Sequence, residues 1–168
     1  MIRRVTLEDL HVYREVRLRA LQDAPTAFAS TYEAELSRPA HAWVERLSQA
    51  SAGNDRAIFL AFDDSDCVGL VACVEDDLGA DRQLVSMWVA PSHRGTGVAT
   101  DLVDAVTSWA EEAGAHRIGL WVTRGNDRAQ RFYERCGFSV TGDVQPLPSD
   151  PCRKEIRMVR ELDGVIDG

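Results

Sequence analysis

Apolar residues recur along the chain with two periods, one helical and one alternating, and the switches between them lay out its elements. Ile2 to Val5 is a short β-like run. Thr6-Leu7-Glu8-Asp9 then carries a capping hydroxyl followed by acids, the pattern of a helix start. Leu7, Leu10, Leu18 and Leu21 fall on one face of that helix, predicted to face the core, and Pro25 ends it. A second helix is predicted from Ala40 to Gln49, entered through Ser37-Arg38-Pro39, with Trp43, Val44 and Leu47 on its apolar side. Gly53-Asn54-Asp55 breaks it. Strands are predicted over Ala57 to Phe62 and Cys67 to Val74, joined by the polar turn Asp63-Asp64-Ser65-Asp66. A third, Leu84 to Val89, follows the turn-like Asp77-Leu78-Gly79-Ala80-Asp81.

In the C-terminal half, Val98, Leu102, Val106, Trp109 and Ala113 keep helical spacing, and Gly114 suits the position after the helix end. Ile118, Leu120 and Val122 alternate as a strand. Ala129, Phe132, Tyr133 and Cys136 mark a short helix closed by Gly137. Two more strands, Phe138 to Val144 and Arg153 to Val159, flank a proline-rich loop over 145–151. The order β-α-α-β-β-β-α-β-α-β-β predicts an α/β (α+β) fold with a mixed sheet. At 168 residues the chain suits one domain, 1–168, with one core.

Composition narrows the function classes. A formal charge of −8 argues against nucleic acid and anionic lipid as partners and would favour a cationic acceptor such as an amine. No apolar run is long enough to span a membrane, and Met1-Ile2-Arg3-Arg4 leads into charged residues, so a cytoplasmic location is expected. Cys67, Cys73, Cys136 and Cys152 form no C-x-x-C pair and lack a histidine at ligand spacing. Free thiols and no metal are the expectation.

The segment Arg94-Gly95-Thr96-Gly97-Val98-Ala99 joins a predicted strand to a predicted helix. Gly95 and Gly97 permit turn conformations and close backbone approach, while the helix start presents unpaired N–H groups and a positive dipole end. Together these suit an anion such as a diphosphate, with Arg94 and Thr96 able to add contacts. A Walker-type site is disfavoured because no G-K-[ST] follows, and the spacing departs from the G-x-G-x-x-G of dinucleotide sites. Taken alone, the pattern also fits a plain strand-to-helix turn.

Two longer segments resemble known signatures. Met87-Trp88-Val89-Ala90-Pro91-Ser92-His93-Arg94-Gly95-Thr96-Gly97-Val98-Ala99 resembles the acyl-CoA-binding segment of the GNAT superfamily of N-acetyltransferases. Asn126-Asp127-Arg128-Ala129-Gln130-Arg131-Phe132-Tyr133-Glu134-Arg135-Cys136-Gly137-Phe138 resembles that superfamily's N-x-x-A-x-x-[FL]-Y-x-x-x-G-F helix. The resemblance implies one mixed, mostly antiparallel sheet of about seven strands flanked by about four helices, with acetyl-CoA as acyl donor. It implies that the backbone of Met87, Trp88 and Val89 pairs with the pantetheine arm, and that the Val89 N–H polarises the thioester carbonyl. The pyrophosphate would then lie on Arg94, Gly95, Thr96, Gly97, Val98 and Ala99. Asn126 matches a position contacting the cofactor arm, with Arg128 and Ala129 beside it. Tyr133 matches the tyrosine that protonates the departing thiolate, a task a phenol near pKa 10 can perform for a thiolate near about 8.5. From its spacing alone, Tyr133 reads as a half-buried core residue, since Ala129, Phe132 and Cys136 share its face.

The acceptor side is less legible. Gln83 and Ser86 occupy strand positions open to a basic acid, leaving Glu33, Glu35 and the Glu75 to Asp77 stretch as alternatives. Each of those acids reads as a solvated surface group, which favours a water-mediated base. Arg14 interrupts the apolar face of the first helix and is expected to lay its stem on the core. Trp43 and the 145–151 loop are candidates to line the acceptor pocket, and His93 to touch a phosphate. The resemblance predicts direct acetyl transfer to a primary amine, of a small molecule or a protein, chosen by segments 24–38 and 145–151. The rival is a CoA-binding sensor without turnover. A homodimer is common among enzymes resembling this one.

Overall fold

The computed structural model describes residues 1–76 and 81–163, so the predicted turn at 77–81, its Asp81 apart, and Asp77 itself lie outside the described residues. Seven strands join in one sheet of order β1-β2-β3-β4-β5-β7-β6. They are β1 Ile2–Arg4, β2 Ala57–Asp63, β3 Asp66–Glu75, β4 Arg82–Val89, β5 Arg117–Thr123, β6 Ser139–Leu147 and β7 Asp150–Glu161. Every neighbouring pair is antiparallel except β4 and β5, which run parallel. The helices are α1 Leu10–Asp23, α2 Tyr32–Leu36, α3 Ala40–Ser51, α4 Val98–Glu112 and α5 Asp127–Arg135. The mixed, mostly antiparallel α/β architecture expected from the sequence is therefore present, with one helix more.

Alternation along β3 sends successive side chains to opposite faces. A Cβ added at Gly69 would meet Leu102 and Val98 of α4, whereas Ala72 faces a space bounded by Tyr13 and Arg17 of α1 and Ala50 of α3. The sheet thus lies between α4 on one face and α1 with α3 on the other. Leu102, Val103 and Val106 of α4 are fully buried, as are Leu21 of α1 and Leu47 of α3.

Several expectations needed correction. Thr6 does cap, its backbone N–H donating to Asp9 Oδ2 at 2.7 Å, but the turn it opens is 3-10 over Leu7–Asp9 and α1 begins at Leu10. Leu7 is consequently exposed, and so is Val44 on α3. The arginine buried along α1 is Arg17, three positions beyond Arg14, which only half-covers Trp43. Trp43 packs edge-on against Tyr13 inside the core rather than lining a pocket. The additional helix α2 is a single turn whose start is held by the Thr31 hydroxyl accepting from the Ala34 N–H, too short to show a hydrophobic period. The proline-rich stretch is not a loop throughout: only 148–149 form a turn, between β6 and β7. Pro146 lies in β6, an outermost strand where a missing N–H is tolerated, and Pro151 lies near the start of β7, ahead of the residues that pair with β5.

Little in the ladder holds the parallel pair together. β4 and β5 are in register only at Arg82↔Ile118 and Gln83↔Gly119. At that closed end a buried ion pair spans the junction: Arg157 Nη2 of β7 donates to Asp76 Oδ2, at the end of β3, at 2.5 Å. The guanidinium lies over Trp121 and above Gly119, where any added Cβ would strike it. Both side chains are almost wholly excluded from water, so neither charge tolerates loss of the other. Asp76→Asn is expected to destabilise the fold by about 3 kcal/mol, read as a lower urea midpoint with an unchanged slope.

Candidate active site

Beyond the closed end, β4 and β5 part, and the edge of β4 facing the gap loses its ladder partner. A bulge makes the divergence local. The register runs from Ala72↔Val85 to Leu70↔Trp88, so Ser86 and Met87 together oppose Val71, and Ser86 adopts φ 59, a left-handed value. Such a bulge bends and twists its strand. Past it, Ala90 N–H donates to Val68 O of β3 at 2.7 Å. Strand alternation then turns the backbone of Trp88 to β3 and that of Met87 and Val89 to the gap. The Val89 N–H is thereby aimed into the cleft, while its carbonyl accepts from Arg94 Nε at 3.1 Å.

The glycine turn lies at the open end of this cleft. Gly95 and Gly97 have φ 79 and 92, and a Cβ on either would meet nothing within 4 Å. The turn is shaped by backbone that only glycine adopts readily, and the space around it is open. Gly97 leads directly into α4 with no side chain capping the helix, so the first N–H groups of Val98, Ala99 and their neighbours face outward. Thr96 spends its hydroxyl proton on the His93 carbonyl at 2.5 Å, bracing the turn. Arg94 donates to Asp23 Oδ2 at 2.5 Å, and Trp88 Nε1 donates to the same oxygen at 2.9 Å. These two donors, the Trp88 indole first, hold the Asp23 carboxyl below its ordinary pKa. Arg94 therefore anchors the turn to the end of α1 and does not stand free beside it. His93 is held between Ser92 and Asp63, both at 2.8 Å. A diphosphate fits this place through backbone N–H groups more than through side chains.

α5 brings the second predicted group. The Asn126 side chain accepts from the Ala129 N–H at 3.2 Å and so caps α5. Arg128 is exposed and Ala129 half-buried. Tyr133 is buried between Phe132 and Phe138, with ring centroids 5.1 and 5.8 Å away. Burial pushes its phenol above the ordinary value, so Tyr133 is a neutral hydrogen-bond donor at any physiological pH. Burial weakens three of the four cysteines as nucleophiles. All four are free, and burial raises Cys67 and Cys136 and pushes Cys73 up to about 12.

The family model described as Acetyltransferase (GNAT) family matches residues 18–138, which include the cleft, the glycine turn and α5. The chain belongs to the GNAT acetyltransferase family. It is an acyltransferase enzyme. The uncharacterized N-acetyltransferase Rv2669 of Mycobacterium tuberculosis is 34% identical over 139 residues, covering 83% of this chain and 85% of that protein. Mycothiol acetyltransferase of Propionibacterium freudenreichii is 29% identical over 88% of this chain but only 46% of its own length. Among solved structures, a GNAT acetyltransferase of Streptococcus pneumoniae superposes with TM-score 0.77 at 18% identity, covering 96% of this chain and 98% of that one. Spermidine N-acetyltransferase of Vibrio cholerae, solved with CoA and spermine, gives TM-score 0.74 at 18% identity over 96% and 94% of the two chains. These structural likenesses establish the shared fold. No helix among the described residues is long and apolar enough to cross a membrane.

Three acids of this acetyltransferase differ from what their sequence context suggested. Glu35, expected as a solvated surface group, is buried and clasped by Arg38 at 3.2 Å and Arg46 at 3.1 Å, with Arg17 at 3.7 Å. Burial opposes its charge, but the arginines outweigh it and hold the carboxyl at about 2, so Glu35 is a poor base. Asp23, which pins the glycine turn, drew no notice in the sequence. Neither did Glu155 on β7, which is buried, in register with Thr123 of β5 and Gln145 of β6, and accepts from Gln145 Nε2 at 2.5 Å. Thr123 donates to the Thr26 carbonyl beyond α1, so Glu155 faces the α1 side of the sheet, just past the open edge of the cleft. Burial raises its carboxyl above the ordinary range. The only signal in the sequence was two charges, Glu155 and Arg157, alternating with Ile156 and Met158.

Because Glu35 titrates at about 2 when folded, against 4.5 for the free group, its stabilisation is complete above pH 4.5 and is lost as pH falls toward 2. Glu35→Gln is therefore expected to be much less stable than the parent at pH 7, with the gap narrowing below pH 4. Chemical denaturation at both pH values measures it, and a gap that stays constant would refute the clasp.

Proposed function

We propose that this acetyltransferase moves the acetyl group of acetyl-CoA directly to a primary amine, with both substrates bound together. One observation carries this reading: β4 separates from β5 beyond residue 83, leaving the Val89 N–H aimed into a gap that ends at the open glycine turn. The family relationship and the CoA-bound structure of the Vibrio cholerae enzyme support it.

Acetyl-CoA supplies an acyl thioester whose carbonyl carbon accepts the amine and whose thiolate departs. The chain's own groups do the rest. The backbone of Met87 and Val89 completes a strand-like ladder with the pantetheine arm, and the turn N–H groups of residues 95–99 hold the pyrophosphate. Asn126 and α5 close the other wall. The Val89 N–H polarises the carbonyl oxygen, a donor of the kind whose loss costs roughly a hundredfold in rate. Tyr133 gives its proton to the sulfur as the C–S bond breaks. Of the two protons the ammonium must lose, one passes through water to Glu155 and the other balances the proton that Tyr133 donates. Glu155 suits this role because its raised pKa brings it closer to the amine's own basicity.

Thiol release from acetyl-CoA across an amine panel tests the whole reading; tight CoA binding without acceptor-dependent release would point to a sensor instead. Tyr133→Phe is expected to lower kcat by roughly a hundredfold while KM for acetyl-CoA changes little. An unchanged kcat removes Tyr133 from the mechanism. In wild type, kcat/KM should rise with pH through an inflection above the ordinary carboxylate range, and Glu155→Gln should abolish that limb.

A further inference from the structure

A second cavity lies under α1 and α3, on the face of the sheet opposite α4. Its volume is about 170 Å³, and Tyr13, Arg17, Arg46, Arg56, Val85 and Ser86 contribute to its wall. Space of this size holds a handful of atoms, on the order of five waters at about 30 Å³ each. Ser86, in its wall, is the bulge residue that directly precedes Met87.

The charges around it do not balance. Three guanidiniums, from Arg17, Arg38 and Arg46, gather around the single carboxylate of Glu35. Arg38 and Arg46 each donate twice to it and use both oxygens. Arg17 is left 3.7 Å away, outside hydrogen-bond range. Its Nη1 donates to the Ser86 hydroxyl at 2.5 Å, and its face lies over Phe28 at 4.9 Å. Its Nε is buried and has no hydrogen-bond partner, although the residue is only 7% exposed. A buried cation with an idle donor and no directly bonded anion is costly unless something anionic joins it.

We propose that Arg17, with Arg46 and Ser86, binds the carboxylate of the acceptor, so that the substrate is a small amine that also carries a carboxylate. The planar fork of a guanidinium matches a carboxylate in two parallel hydrogen bonds. The cofactor's phosphates do not compete for this place, because the turn that suits them lies beyond the C-terminal end of β4, at residues 94–99. Ser86 and Val89 are three residues apart, about 10 Å along a strand at roughly 3.3 Å per residue. A carboxylate held at Ser86 therefore leaves its amine directed along β4 toward the acyl group. The overall acidity of the chain draws the ammonium end in, and the local arginine excess takes the other end.

This inference rests on the acetyl-transfer reading, and the test separates the two. Glycine, β-alanine, 4-aminobutyrate, 5-aminovalerate and lysine are each compared with their carboxamides by thiol release from acetyl-CoA, with phosphoethanolamine as a phosphate-bearing control. At least one acid is expected to exceed its amide in kcat/KM by tenfold or more. Arg17→Gln should erase that preference and Arg17→Lys keep part of it. The acid-to-amide ratio in wild type needs no variant to fold. Equal turnover of every acid and amide overturns the carboxylate site while leaving amine acetylation intact, and phosphoethanolamine outrunning every acid overturns it likewise. If no amine releases thiol, thermal shift decides: acids that raise the Tm of wild type but not of Arg17→Gln support the anion site and sink the amine-acetylation reading, and no shift sinks both.

Discussion

The sheet is two arms joined at one short seam. β1 to β4 form one arm and β5 to β7 the other, and the ladder between them amounts to the first two residues of the parallel pair. The Asp76–Arg157 ion pair lies across that seam and makes it hold. Buried ion pairs of this kind rarely add much net stability, since desolvating both charges offsets most of their attraction. What they specify is geometry. Here the constraint is that the arms meet at one end and nowhere else, so an opening at the other end is built into the fold.

The bulge at Ser86 converts that opening into a site. A regular β4 would present evenly spaced donors along a straight edge. The extra residue re-aims the strand, so that Val89 faces the gap and Ser86 faces α1. One backbone irregularity thereby shapes two places, the open strand edge on one side and the arginine-lined cavity behind it. Ser86 pays for this with a left-handed backbone, a strain of roughly 1 kcal/mol or more for a residue with a side chain. Its hydrogen bond to Arg17 holds it there.

Much of this was legible in the residues alone. The glycine turn, the α4 stripe from Val98 to Ala113 and the Asn126–Phe138 segment are local patterns, and local patterns survive in a linear sequence. The expectation of a donor site rests on them. What escaped was set by partners distant in the chain. Glu35 looked like a surface acid because Arg17 and Arg46 reach it from two other helices. Asp23 meets Trp88 and Arg94 some seventy residues away. Glu155 is poised only because β5 and β6 enclose it. The same holds for Arg14 and Arg17, which share the first helix; only the packing of α2 and β4 decides which is buried. The 145–151 stretch is illegible for another reason. Proline argues against a strand unless the strand is outermost, and strand order is not written locally.

That outermost position has a consequence for how the protein behaves among its neighbours. An exposed sheet edge is a template on which another chain can add a strand, and long flat edges promote aggregation. Here one edge is β1, only three residues long. The other is β6, whose register breaks beyond Val140 and whose Pro146 has no N–H to offer an arriving strand. Both margins of the sheet are thus poor templates. The backbone of this protein is open to strand addition chiefly inside its cleft, where the edge of β4 has no recorded partner strand beyond residue 83 among the described residues.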